Sequence, residues 1–248
     1  RLQQVAIKKI KLEAVSEAEV EDFRAEAVLM QAMRPHNNVV LFLGITRSEP
    51  GEEQPLCIVT EYCANGSLHA WLRQPGNTLT AAQTVRILAG IAAGVHHLHR
   101  ENIVHRDLAA RNILLGADFS PKVSDFGYSR MITGKPDDSA VTQSNVGPLK
   151  WLAPECVMHH QYSLKSDVWA YAILMFEVLT TLDPYPDLTP LQAAAAVAYN
   201  GLRLRLPETT DREVVNIYND CIAFKAEDRP TMSEIAQRLR ETFNKETG

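Results

Sequence analysis

The chain has 248 residues, 46% of them hydrophobic and 22% charged, long enough to bury a large core as one big domain or as two lobes. Its net charge of -5 excludes an electrostatic footprint for nucleic acid or for an anionic membrane surface. The longest apolar run, Val168 to Phe176, has nine residues and is too short for a bilayer; no signal peptide opens the sequence, and the four cysteines lack C-x-x-C spacing, so a soluble, cytoplasmic chain with reduced thiols is expected.

In chain order, Arg1 to Ile10 alternates weakly through Val5, Ile7 and Ile10 and reads as a β-strand that carries Lys8. No G-x-G-x-x-G occurs anywhere in the sequence. Ser16 and Glu19 form a capping box ahead of Val20, Phe23, Ala27 and Met30, which recur at helical spacing, so a helix is predicted from about Glu17 to Met33 with Glu26 on the flank of its apolar stripe. Val39 to Ile45 and Leu56 to Glu61 read as two further strands around a polar loop, Thr46 to Gln54. The second strand runs into Thr60-Glu61-Tyr62-Cys63, after which helical patterns dominate.

Thr80 with Gln83 caps a long helix whose buried stripe is Val85, Leu88, Ala92, Val95 and Leu98, while Gly90 and Gly94 permit close packing. His96, His97 and His99 have no Cys or acid partners at ligand spacing and read as exposed helix-end histidines rather than metal ligands. Then comes Ile103 to Leu115, I-V-H-R-D-L-A-A-R-N-I-L-L, a charged tract between two short apolar runs that read as buried strands. Asp107 is placed there to accept a proton, Arg111 to balance charge, and Asn112 to offer an uncharged oxygen to a hard metal ion. A second acid, Asp125, sits on the tight turn Asp125-Phe126-Gly127 after the strand-like Pro121 to Ser124. One acid as base, and another with an amide as metal ligands, suits phosphoryl transfer from a metal-bound nucleotide.

From Ser163 the pattern is helical. Ser166-Asp167-Val168-Trp169 opens an almost wholly apolar helix to Leu179, expected to be a buried axis. Thr189-Pro190 and Gly201 bracket another; Val214, Ile217, Tyr218 and Cys221 mark the next; Thr231 with Glu234 caps the last, to about Phe243.

Ile103 to Leu115 together with Asp125-Phe126-Gly127 resembles the catalytic loop and metal-binding turn of the eukaryotic protein kinases. Val5-Ala6-Ile7-Lys8 is similar to the family's lysine strand and Ala153-Pro154-Glu155 to the end of its activation segment, and the motifs stand in the family's order over nearly the whole chain. The resemblance implies an α+β, bilobal, protein-kinase-like fold: a small β-rich N-lobe, residues 1–62, without its first two strands and glycine-rich hairpin, and a larger, mainly helical C-lobe, residues 63–248. It implies ATP as phosphate donor, Mg²⁺ held by Asn112 and Asp125, and a protein substrate whose hydroxyl loses its proton toward Asp107. Lys8, oriented by Glu26, would steady the phosphates; Thr60 would guard the pocket behind the base, Glu61 and Cys63 would bind it through their backbone, and Leu114 would form its floor. By the same resemblance, Asp167 would hold the catalytic-loop backbone, His105 would be a packed structural residue, and Arg229 of D-R-P would pair with Glu155. Arg106 would pair with a phosphate on Thr142 or Ser144.

On the acceptor the resemblance is divided. Ala109, where many serine/threonine kinases have lysine, and Arg111 give the tyrosine-kinase form A-A-R-N, and Gly147-Pro148-Leu149-Lys150-Trp151 resembles the tyrosine-kinase substrate shelf. Yet no tyrosine follows Tyr128 before Leu152, and the S-N-V-G-P-L-K-W run is similar to tyrosine-kinase-like enzymes that act on serine and threonine. The alternative from another class is a non-catalytic kinase-like scaffold, for which the absent glycine-rich loop speaks and against which Lys8, Glu26, Asp107, Asn112 and Asp125 stand together.

Overall fold

The weakly alternating first segment forms an edge strand. In a computed structural model, which describes residues 4–10, 16–46, 56–131 and 148–247, Val5–Lys9 (β1) pairs antiparallel with Cys57–Glu61 (β3). Strand β3 pairs in turn with Phe42–Ile45 (β2), so the sheet order is β1-β3-β2. Lys8 lies opposite Ile58 and Ala6 opposite Thr60. Cross-strand partners share a face, and residues two apart do too, so Lys8, Ile58 and Thr60 point to one side of the sheet.

Glu17–Ala32 (α1) starts where the sequence places it. The Ser16 hydroxyl accepts from the Glu19 amide at 3.3 Å, and the Glu19 carboxylate accepts from the Ser16 amide at 2.9 Å. The helix buries Phe23, Ala27, Leu29 and Met30, and with them Glu26. The run after it is not one strand as predicted. Val39 forms a parallel bridge with Val123, and the Val40 amide donates to the Val123 carbonyl at 2.9 Å; β2 begins only at Phe42. Apolar alternation cannot tell which partner a segment pairs with, and here the first part of the run serves as a bridge to the helical half of the molecule.

That half contains Leu68–Leu72 (α2), Ala81–Arg100 (α3), Ile103–Val104 (β4), Ile113–Leu115 (β5), Pro121–Val123 (β6), Arg130–Met131 (β7) and Pro154–His159 (α4). Leu164–Thr180 (α5), Pro190–Tyr199 (α6), Arg212–Cys221 (α7) and Met232–Thr247 (α8) follow. Two small antiparallel ladders, β4 with β7 and β5 with β6, clamp the residues between them. The last helix extends past Phe243, and α2, α4 and β7 are too short to leave a periodic signal in the sequence.

Helix α5 is the axis. Every residue from Ser166 to Val178 is buried, Trp169 and Tyr171 completely, and α3, α7 and the β4 ladder pack around it. Each large apolar side chain withdrawn from water there stabilises the fold by about 1.5–3 kcal/mol. Helix α3 approaches the turn before β2 closely because Gly94 has no side chain: a Cβ there would sit 2.3 Å from the Asn38 carbonyl oxygen. The Asn38 side chain then donates to the Pro121 carbonyl at 2.9 Å, which fastens that turn to β6.

Candidate active site

The site forms where the sheet meets the β5–β6 ladder. Lys8 on β1 reaches Glu26 on α1, with its Nζ 2.8 Å from each carboxylate oxygen, and lies 3.1 Å from Asp125 Oδ1. Glu26 is therefore not one of the solvated acids that surround it in sequence; it is 6% exposed. Burial pulls the Lys8 ammonium down, but the Glu26 and Asp125 carboxylates outweigh it and hold its pKa above the usual lysine value. Burial likewise pushes Asp125 up, and Lys8, His105 and the Gly127 amide outweigh that, so its carboxyl ends below the usual aspartate range.

Asp107 is nearly buried and held from several sides. Arg111 donates to its Oδ1, and Asn112 Nδ2 donates to its Oδ2 at 2.7 Å and to its backbone carbonyl at 2.8 Å. Burial, the dominant influence, leaves the Asp107 carboxyl above the ordinary aspartate pKa in spite of Arg111, His105 and Asn112. Because Asn112 spends its amide hydrogens on Asp107, its Oδ1 is the atom left to ligate. That oxygen and the Asp125 carboxylate form a pair of hard donors suited to a small divalent cation.

The backbone around these acids is strained and held. Arg106 (φ 66°) and Asp125 (φ 60°) occupy the left-handed region, at a cost of about 1–3 kcal/mol each. Asp167, in the first turn of α5, accepts the Arg106 amide at 2.9 Å and the His105 amide at 2.8 Å, and so fixes the loop in that conformation. His105 is fully buried, with its ring Nε2 at 3.0 Å from the Ser124 carbonyl and its ring packed on Phe126, as a structural residue should be. His99 departs from the prediction: it is not an exposed helix end but largely buried, its Nε2 3.0 Å from Asp167 Oδ2. Helix α3 ends against α5, and sequence periodicity does not reveal which helix end meets another element.

Lys8, Glu26, Thr60, Arg111, Asn112, Leu114 and Asp125 line one cavity of about 290 Å³, with Met30, Val40 and Ile58 as its apolar wall. Asp107 joins it through Arg111 and Asn112. The side chains of Glu61 and Cys63 do not line it. The Glu61 carboxylate takes the Leu41 amide at 2.8 Å and lies 3.0 Å from Lys122, and the Cys63 thiol is buried, so neither offers its side chain to the cavity. Thr142 and Ser144, the phosphate acceptors suggested for Arg106, lie outside the described residues; Arg106 itself stacks over the Tyr162 ring at 5.0 Å.

A lysine–glutamate pair over two carboxylates and an amide, facing one cavity between a sheet and a helical core, coincides with a family match over residues 1–239 to the protein tyrosine and serine/threonine kinase domain. The chain belongs to that family. This kinase domain is 35% identical to serine/threonine-protein kinase STY17 of Arabidopsis thaliana, over 96% of the chain and 40% of the relative. It is 37% identical to Fer-related kinase 1 of Caenorhabditis elegans, over 97% and 59%, and 35% identical to human tyrosine-protein kinase ABL2, over 97% and 20%. The chain thus spans less than two thirds of the length of these curated relatives. Its architecture is the family's α+β fold, with a small sheet and one helix set against a helical lobe, and no helix among the described residues is long and apolar enough to cross a membrane.

Beside the Asp107 loop lie Trp151, read from sequence only as part of the Gly147–Trp151 run, and Glu177, which was not singled out. Trp151 places its ring under the Arg111 guanidinium, 4.6 Å from the centroid, and donates its indole N–H to Glu177 at 2.9 Å. Glu177 had a signal: an acid inside the wholly apolar stretch of α5 must find polar partners once buried.

Proposed function

We propose that the chain is the catalytic domain of an ATP-dependent protein kinase, with residues 1–62 as its smaller lobe and 63–248 as its larger one. ATP would lie in the cavity with Thr60 behind its base, Leu114 as the floor beneath it and its phosphates toward Lys8, while the backbone of Glu61 and Cys63 would hydrogen-bond the base. Asn112 and Asp125 would hold Mg²⁺, which when bound neutralises charge on the phosphate oxygens. The chain's own residues then do the rest. Glu26 keeps Lys8 extended toward the phosphates, and Arg111 and Asn112 aim the Asp107 carboxylate. Asp107 accepts the proton of the attacking protein hydroxyl.

The observation that carries this reading is Lys8, bonded at 2.8 Å to Glu26 and at 3.1 Å to Asp125, because it brings a strand, a helix and the D-F-G turn to one point. Such an assembled set supports an enzyme over a non-catalytic scaffold. The acceptor is a protein side-chain hydroxyl, and phosphoamino-acid analysis of the product assigns it to tyrosine or to serine and threonine. Asp107→Asn tests the base: phosphotransfer should vanish while Mg-ATP still raises the melting temperature. Turnover retained by that variant would contradict the assignment.

A further inference from the structure

We infer that Glu177 is a positioning residue that ties the Asp107 loop to the segment ahead of Ala153-Pro154-Glu155, an inference that rests on the reading of Asp107 as the base. Glu177 stands on α5 with no solvent exposure. Its Oε2 accepts two N–H groups at once, the Ala110 amide at 2.9 Å and the Trp151 indole at 2.9 Å. Ala110 opens the 3-10 turn Ala110–Asn112, three residues after the base. The Trp151 ring carries Arg111, and Arg111 donates to Asp107. Two routes from one buried oxygen therefore reach the base, one along the loop backbone and one through the indole and the guanidinium.

A carboxyl in this place needs a reason. From Val168 to Val178 every other buried side chain of α5 is apolar or aromatic, and Glu177 Oε1 has no hydrogen-bond partner among the described residues. Burial pushes the Glu177 pKa up against the pull of Ala110, Trp151, Arg111 and Arg73, the mark of a group held where solvation is poor. An aliphatic residue of similar size would fill the space but leave both N–H donors unpaired, so what Glu177 contributes is one shared acceptor that fixes where the two donors sit. It sets the distance between α5 and the loop, and it turns the Trp151 ring to face Arg111. Because Trp151 belongs to the segment that runs on into α4, the same oxygen also couples the position of that segment to the direction of the Asp107 carboxylate.

The test compares Glu177→Leu, Glu177→Gln, Trp151→Phe and the Trp151→Phe/Glu177→Leu pair in the full chain. The readouts are kcat, KM for ATP, the Mg-ATP thermal shift and hydrogen exchange of the peptide spanning residues 106–115, with casein and poly(Glu,Tyr) as acceptors. Misplacement of the base through a distant support should lower kcat of Glu177→Leu about 100-fold while KM for ATP stays within about twofold, and exchange at Ala110 should accelerate. Glutamine keeps one carbonyl oxygen for both donors and should restore kcat to within about threefold of the parent. Trp151→Phe keeps the ring over Arg111 but loses the N–H, and should cost about tenfold; residues acting as one unit make the pair no worse than Glu177→Leu alone. Wild-type kcat in a folded Glu177→Leu protein that binds ATP, or effects that multiply in the pair, would overturn the inference. If Glu177→Leu does not fold, wild-type kcat in Trp151→Phe overturns it equally. Failure of the underlying reading looks different: Asp107→Asn would keep its turnover whatever the Glu177 variants do.

Discussion

Arg229 and Glu155 offer the sharpest test of how the helical lobe is held. The guanidinium is 1% exposed and uses all five of its N–H donors. Nη1 and Nη2 meet the two Glu155 oxygens at 2.7 and 2.8 Å, and the remaining hydrogens go to the carbonyls of Ala223, Lys165 and Phe224 at 2.9, 2.9 and 3.2 Å. The Trp169 ring covers the guanidinium at 5.1 Å. Glu155→Ala removes the compensating charge and leaves the cation buried, which should cost about 3–5 kcal/mol. For a chain of this size the melting temperature should then fall by roughly 6–20 °C. Arg229→Lys keeps the charge but offers three donors to five acceptors, so two go unmet at about 1 kcal/mol or more each. Replacing both partners, as Glu155→Leu with Arg229→Met, should be less damaging than Glu155→Ala, since neither charge is then stranded. Equilibrium urea unfolding, with the slope checked for constancy, measures all three. A loss below about 1 kcal/mol for Glu155→Ala at unchanged slope would refute the argument.

Three further outcomes are expected. Gly94→Ala gains helix propensity of about 1 kcal/mol, yet its new methyl would meet the Asn38 carbonyl at 2.3 Å, so a net destabilisation of about 1–3 kcal/mol should appear in the same unfolding assay; a stabilised variant would deny the close approach of α3. Asp167→Ala strips a partner from the buried His105 amide, at about 1–3 kcal/mol, and from the part-buried Arg106 amide, at less, read as lost stability and as faster amide exchange at those two positions; unchanged exchange would contradict the loop anchor. Burial pushes the Cys63 thiol up to about 11 and Cys156 up to about 12. The thiolate is the reactive form, so at pH 8 only about one Cys63 in a thousand is ionised, and a disulfide reagent should titrate these residues slowly until denaturant is added; rapid labelling of the native protein would show them more accessible than the structure has them.

Local chemistry was enough to place much of this protein. The capping pairs Ser16–Glu19, Thr80–Gln83 and Thr231–Glu234, and Thr189 ahead of Pro190, start their helices where the sequence puts them, because each N-cap hydroxyl satisfies a backbone donor within four residues of itself. The strand that carries Lys8 and the short strands on either side of Asp107 were likewise legible, since their apolar runs are local features of the sequence. What the chain order could not supply was the pairing of distant parts. Tertiary packing decided that Val39 and Val40 join Val123 rather than β2, that His99 is enclosed against Asp167, and that Glu61 turns its carboxylate toward Leu41 and Lys122. It also decided that Glu177, a lone acid in an apolar helix, lies beside Ala110 and Trp151. Each of these depends on a contact across more than ten residues, whose choice among competing partners is settled by which backbone and side-chain polar groups remain unsatisfied once the core has closed.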